Sequence, residues 1–181
     1  GFSIALVVMA VPDRLIGKIT HAIIDKVRPG TSFIVLDAAA PHAGEMPARS
    51  DVTYFVTHPC HPPLFNDEVT EAAKKDFFGG VVAKQHIVCA LMQGPEEHYK
   101  VCEEVARTIY GPVMNAQRCT LEQNAILEPA LSETTAITMC IALREAAEDV
   151  PVFVGGQGLI VAAHLLEPFP REQRSACATQ V

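Results

Sequence analysis

The sequence has no run of basic residues. Its 14 Lys and Arg stand against 21 Asp and Glu, giving a formal charge of -7 and a pI of about 5.4. That balance offers no cationic surface for nucleic acid or an anionic membrane. There is no CxxC pair either. Cysteines at 60, 89, 102, 119, 140 and 177 are scattered without a framework, so reduced thiols and a cytoplasmic location are the simplest reading. The apolar opening, Gly1 to Val11, lacks the basic flank of a secretory leader and falls far short of the roughly 20 residues of a membrane helix. No internal repeat and no low-complexity tract is present. What remains is 49% hydrophobic and 19% charged, a composition that buries a core rather than staying disordered.

The apolar pattern then alternates between strand and helix. Ile4 to Val11 is a continuous β-branched run ending at Pro12-Asp13, as expected of a strand covered on both faces. Asp13 is placed to cap a helix whose apolar positions are Leu15, Ile16, Ile19, Ile23 and Val27, stopped by Pro29-Gly30. Ser32 to Leu36 is a second strand, so the first 37 residues spell one βαβ crossover. A loop over 38–51 leads to a third strand, Val52 to Thr57, whose ladder pairing should cease at Pro59. Asn66 is placed to cap a short polar helix ending before Gly79-Gly80. His86 to Met92 is a fourth strand. Gly94-Pro95 opens a helix with Glu96 and Glu97 in its first turn and a stripe of Val101, Cys102, Val105, Ala106 and Ile109. Pro112 to Arg118 is a last short strand. From Thr120, a plausible N-cap, to about Glu148 the spacing is helical, interrupted by Pro129. The expected architecture is α/β: part of a Rossmann-like, mostly parallel sheet over 1–119, the start of a helical substrate and dimerisation domain over 120–150, and an atypical tail over 151–181.

Ligands of open α/β sheets bind outside the carboxyl ends of the strands. Three turns fall at such ends: Ala10 to Asp13, Asp37 to Pro41, and His58 to Pro63. If the three strands are neighbours, these turns converge on one cleft, and the small residues Ala38, Ala39 and Ala40 let a flat ligand approach the backbone. Asp13 and Asp37 are equally readable as ordinary turn or cap residues. The HPCHPP turn holds two imidazoles on a stiff loop. His58 directly follows a strand, where an imidazole can take the proton from an alcohol as hydride leaves its carbon. His58 and His61 could instead bind a divalent metal with a carboxylate, or be solvated side chains of a rigid turn. Glu122, Glu128 and Glu133 form a second constellation: in an ideal helix Glu122 and Glu133 share a face, and Glu128 sits at the Pro129 interruption. Lys84, His86 and His98 are weaker candidates, with His98 read as a helix-surface residue.

The runs AVPDRLIGKI, LDAAAPHAG, THPCHPPLFNDE, KQHIVCALMQGPEEHY and TLEQNAILEPALSET resemble a family of NAD-dependent oxidoreductases. Its members carry a C-terminal domain named for 6-phosphogluconate dehydrogenase and include the D-apionate oxidoisomerases. The resemblance covers about residues 4–148. More distantly, AVPD and HP after strands are similar to prephenate and β-hydroxyacid dehydrogenases. The resemblance implies a Rossmann domain followed by a helical one, with NAD or NADP and a hydroxy or sugar acid bound between them. It implies that Val11, Pro12 and Asp13 lie beside the nicotinamide half, with Asp37 on the same cleft. It further implies that His58 is the acid–base residue, that Glu128 contacts substrate, and that a homodimer forms. A metal steadying an enediolate-like charge would find His58, His61 and Glu128 as conceivable ligands.

The family's Gly-rich phosphate turn has no counterpart here. Gly155-Gly156-Gln157-Gly158 lies at the wrong end. The expectation is therefore a fragment, lacking the front half of the nucleotide domain and inactive on its own. Two rivals stay open: a metal-dependent non-redox enzyme built on His58, His61 and Glu128, and a non-catalytic remnant whose long helix serves dimerisation.

Overall fold

The computed structural model describes residues 5–63 and 67–149. Five strands form one sheet in the order β1-β2-β3-β4-β5. They are β1 (Leu6–Met9), β2 (Ser32–Val35), β3 (Thr53–Pro59), β4 (Gln85–Gln93) and β5 (Val113–Arg118). The first three run parallel, with Val8 beside Ile34 and Ile34 beside Phe55. The sheet then reverses. β4 is antiparallel to β3, and β5 is parallel to β4.

Burial on both faces explains the unbroken apolar runs of β2 and β3; β1 lies at the sheet edge and leaves Leu6 and Val8 exposed, so the cover on both faces expected of it is not found among the described residues. Side chains alternate across a strand, so Phe33, Val35, Tyr54 and Val56 face one layer while Ile34 and Phe55 face the other. The first layer is closed by Ile16 and Ile24, which flank helix α1 (Ile16–Ile23) and the 3-10 turn after it. The second is closed by α4 (Glu96–Ile109), which buries Tyr99, Cys102 and Ala106. Each layer carries an aromatic pair: Phe33 on Tyr54 at 5.7 Å, and Phe55 edge-on to Tyr99 at 5.3 Å.

Several expectations change. Asp13 does not cap α1. It opens a 3-10 turn, Asp13–Leu15, that begins after Pro12 with no side-chain cap. The 38–51 loop contains a one-turn helix, α2 (Ala39–His42). The ladder does not cease at Pro59, which pairs with Ile87, and Cys60 N–H then donates to the His86 carbonyl at 2.9 Å. In an antiparallel ladder successive residues face opposite sides. The missing donor of Pro59 therefore faces the β2 side, where pairing has already ended at Val35 and Val56. The short helix α3 (Glu71–Lys74) is capped by Thr70, whose hydroxyl accepts from Ala73 N–H at 3.2 Å; Asn66 lies outside the described residues. Ile109 is 38% exposed and leaves the buried stripe of α4.

The start of the last helical stretch is as expected. Thr120 Oγ1 accepts from Gln123 N–H at 3.1 Å while Gln123 Oε1 accepts from Thr120 N–H at 3.0 Å, a reciprocal capping box. It opens α5 (Leu121–Glu128). At Pro129, which has no N–H to give, the backbone changes to i→i+5 turns over Pro129–Ala136, then resumes as α6 (Ile137–Asp149). The shared face expected of Glu122 and Glu133 assumed an ideal α-helix. The Glu133 side chain lies outside the described residues. The chain divides into two compact units, 1–128 and 129–181. Leu121–Glu145 is long and apolar enough, by length and composition, to cross a membrane; in its first turns Leu121 and Ala125 pack against the sheet core.

Candidate functional site

The three turns named from sequence do follow three neighbouring parallel strands. β1 leads to Val11, Pro12 and Asp13, β2 to Asp37, and β3 carries His58. Their side chains sense one another. The Asp13 carboxyl is pushed above its ordinary range first by burial and then by the negative charge of Asp37, with His58 opposing the rise.

The two aspartates differ in what else accounts for them. Asp37 Oδ1 accepts from Ala39 N–H at 2.7 Å and so folds the turn into α2. Asp13 makes no capping bond and is an acid in the first turn of its 3-10 segment, a placement that helix-end electrostatics also favours. Ala38 and Ala40 are both 5% exposed. Both belong to the core beneath the turn, and of the three alanines only Ala39 is exposed.

His58 is half-buried. Its Nδ1 lies 3.3 Å from the Leu36 carbonyl oxygen. A carbonyl only accepts, so this contact calls for the proton on Nδ1, which in a neutral ring puts the lone pair on Nε2. His61 is held in the same way from another direction, with Nδ1 3.0 Å from the Phe78 carbonyl. Both imidazoles thus have the form suited to taking a proton or meeting a cation through Nε2. A third ligand is missing: among the described residues no three His, Cys, Asp or Glu side chains converge as a metal site. The Glu128 side chain, the third member expected from sequence, lies outside the described residues.

Two residues were not singled out from sequence. Asn124, on the buried side of α5, is 1% exposed, and neither its Oδ1 nor its Nδ2 has a hydrogen-bond partner. α5 packs against β4 and α2, so this amide belongs to the layer that includes the Asp37 turn. A buried, unpaired carboxamide is costly. The available signal was a polar, poorly helix-forming residue flanked by Leu121 and Ala125 on an apolar stripe. Tyr110, at the end of α4, has its phenol pushed up by burial, with Cys89 and Asp37 adding to the shift. That brings a phenol within electrostatic range of the rim.

His98 is corrected. It is 8% exposed, not on the surface, and its Nδ1 bridges Thr53 Oγ1 at 2.8 Å and Ser32 Oγ at 3.2 Å. Ser32 and Thr53 are the first residues of β2 and β3. The bridge therefore ties the amino ends of those strands, away from the rim.

The chain is similar to several known proteins. A chain from Rhizobium rhizogenes named D-apionate oxidoisomerase is 56% identical over 144 residues, covering 80% of this chain and 52% of that one. A protein of the same name from Cupriavidus necator is 52% identical over 147 residues, covering 81% and 53%. The chain thus spans about half the length of the curated relatives it matches. A crystal structure of a Cupriavidus necator protein, described as a semialdehyde dehydrogenase NAD-binding protein in complex with calcium and NAD, superposes with a TM-score of 0.77 at 42% identity. That match covers 96% of this chain and 68% of the other. The model of the family described as phosphogluconate dehydrogenase (decarboxylating) C-term matches residues 66–163. That is more than half of the 181 residues, and the chain belongs to this family.

Proposed function

We propose that the chain carries the substrate-facing part of an NAD(P)-dependent oxidoreductase that acts on the CH–OH group of a hydroxy or sugar acid. The observation that carries the reading is that the turns bearing Asp13 and Asp37 and the strand end bearing His58 belong to three neighbouring parallel strands. A parallel sheet collects polar groups at such a rim where it binds a ligand. NAD is favoured over NADP because the superposed Cupriavidus necator structure contains NAD. The names of the curated relatives favour D-apionate, or an acid like it, as substrate class.

In this reading Val11, Pro12, Asp13 and Asp37 hold the nicotinamide half of the dinucleotide, and the short side chains of the Ala38–Ala40 stretch let it lie flat on the backbone. When bound, the nicotinamide supplies the hydride acceptor. His58 takes the hydroxyl proton on Nε2 as the C–H bond breaks, while the Leu36 carbonyl keeps the opposite nitrogen protonated. Asn124 offers both an acceptor and a donor in a dry setting. His61 and Glu128 are the further acid–base groups of the site.

The metal-dependent non-redox reading needs Glu128 as its third ligand, a side chain outside the described residues, among which no three-ligand cluster exists. The enzyme is further proposed to be cytoplasmic and homodimeric. On α6 the exposed Ile137 and Ile141 share one side and the exposed Met139 and Leu143 the other, and either pair offers apolar surface to a second copy. The deciding experiment is turnover of D-apionate by the full-length protein with NAD, with and without chelator. NADH formation that survives chelation is expected. Consumption of substrate with no change in nicotinamide would overturn the redox reading.

A further inference from the structure

The connection from β3 to β4 contains a knot built around one carboxylate. Asp76 Oδ2 accepts backbone N–H bonds from Val81 at 3.3 Å, Val82 at 2.8 Å and Ala83 at 2.9 Å. Gly79 and Gly80, at φ 75° and 81°, supply the left-handed bends that let the chain wrap the carboxylate. Gly79 lies so close to the buried Gln85 that a Cβ would sit 2.6 Å from its Nε2. Gln85 is itself fixed by donating to the Tyr110 carbonyl at 2.9 Å. The loop is thus held at its base by Asp76 and in its middle by Gln85.

What this loop presents is Phe78. Its carbonyl meets His61 Nδ1 at 3.0 Å, and its ring stands edge-on to the imidazole at 5.8 Å and 87°. His61 has φ 59°, the only non-glycine with a left-handed backbone among the described residues. Glycine would adopt that conformation without strain, so a histidine there is held against its own backbone preference. A surface loop needs neither the strain nor the contact. A loop that fixes the orientation and proton of one imidazole accounts for both.

We propose that Asp76 is a positioning residue for His61: by folding the 76–83 loop it holds the Phe78 carbonyl against Nδ1 and leaves the ring lone pair on Nε2. The proposal rests on the reading of the His58–His61 turn as the reactive edge, and deepens it by naming what keeps its second imidazole in one protonation form.

The test uses this chain with 15N-labelled histidine, where the nitrogen shifts report which ring atom carries the proton. In the wild type His61 should show the Nδ1–H form. Asp76→Ala should move His61 toward the mixture of tautomers found in unstructured peptides and speed amide exchange at Val81, Val82 and Ala83 at least tenfold. His58 and the exchange-protected strands β2 and β3 should stay unchanged, which separates a local effect from global unfolding. If Asp76→Ala does not fold, Asp76→Asn should show a smaller change in the same direction. A His61 spectrum unmoved while the loop amides speed up would overturn the proposal, as would loop amides that do not respond. Activity separates the parent reading: if full-length His61→Ala turns over normally while Asp76→Ala still shifts the His61 tautomer, the positioning stands and the functional reading of His61 fails.

Discussion

His58 Nδ1 faces the carbonyl of Leu36, a residue on the neighbouring strand end, at 3.3 Å. The sheet itself therefore sets the tautomer of this imidazole. Removing the ring should abolish proton transfer without disturbing the sheet, because the Leu36 carbonyl can turn to water. His58→Ala in the full-length enzyme is expected to lower kcat/KM about 10²–10⁴-fold, with a melting temperature close to wild type. Activity within threefold of wild type would remove His58 from the chemistry.

Asn124 makes the opposite kind of prediction. Its two amide atoms are buried and unpaired, so the apolar, similarly shaped Asn124→Leu should raise stability, by about 1–3 kcal/mol. The same change should weaken substrate or cofactor binding in the full-length protein. A variant both more stable and fully competent to bind would mean the amide serves no ligand.

The bridge from His98 to Ser32 and Thr53 should matter for folding alone. His98→Leu leaves both hydroxyls without their shared partner and is expected to cost about 1–3 kcal/mol, seen in urea unfolding. Turnover per folded molecule should not change. A specific loss of turnover would connect the amino ends of the strands to the rim in a way the geometry does not show.

Acid should open the 76–83 loop before the core. Burial alone would raise the Asp76 carboxyl, but N–H bonds from Val82, Ala83, Val81 and Gly79 outweigh it and hold the group below its ordinary value. A depressed carboxyl contributes stability that is complete above its unfolded value of about 3.9 and is lost as pH falls through the lower, folded value. Amide exchange at Val81 to Ala83, corrected for intrinsic rates, should therefore be flat from pH 7 to about 5 and rise below about 4. A rise already at neutral pH would assign the loop's order to something else.

The thiols should react in order of access. Burial pushes both Cys89 and Cys102 up to about 11, while Cys60 is exposed. Iodoacetamide at pH 8 should label Cys60 first and reach Cys89 and Cys102 only on unfolding. Mass spectrometry of partly labelled protein decides it.

Much of the sheet was legible because burial on two faces writes itself as short unbroken apolar runs, as in Phe33 to Leu36. That the turns of Asp13, Asp37 and His58 belong to neighbouring parallel strands followed from the order of three such runs. The direction of β4 was not legible. An apolar strand reads the same both ways, and the long connection before it suits a crossover as well as a return. His98 was misread because a histidine between Glu97 and Tyr99 looks like part of a solvated face, while its partners lie on strands far away in sequence. Asn124 went unnoticed for a related reason: one polar residue on an apolar stripe becomes informative only once its neighbours are known to offer it nothing. Pro59 misled because its absent donor was weighed without knowing which side of the strand it faced.

The reversal at β4 has one more consequence. Because β3 ends and β4 begins on the same side of the sheet, the whole excursion between Cys60 and Lys84 leaves and re-enters at the mouth of the cleft. Stretches of it outside the Asp76 loop that meets His61 can change length without moving a single strand. A change of substrate among relatives would then be written first in this excursion, while the strands beneath it keep their register.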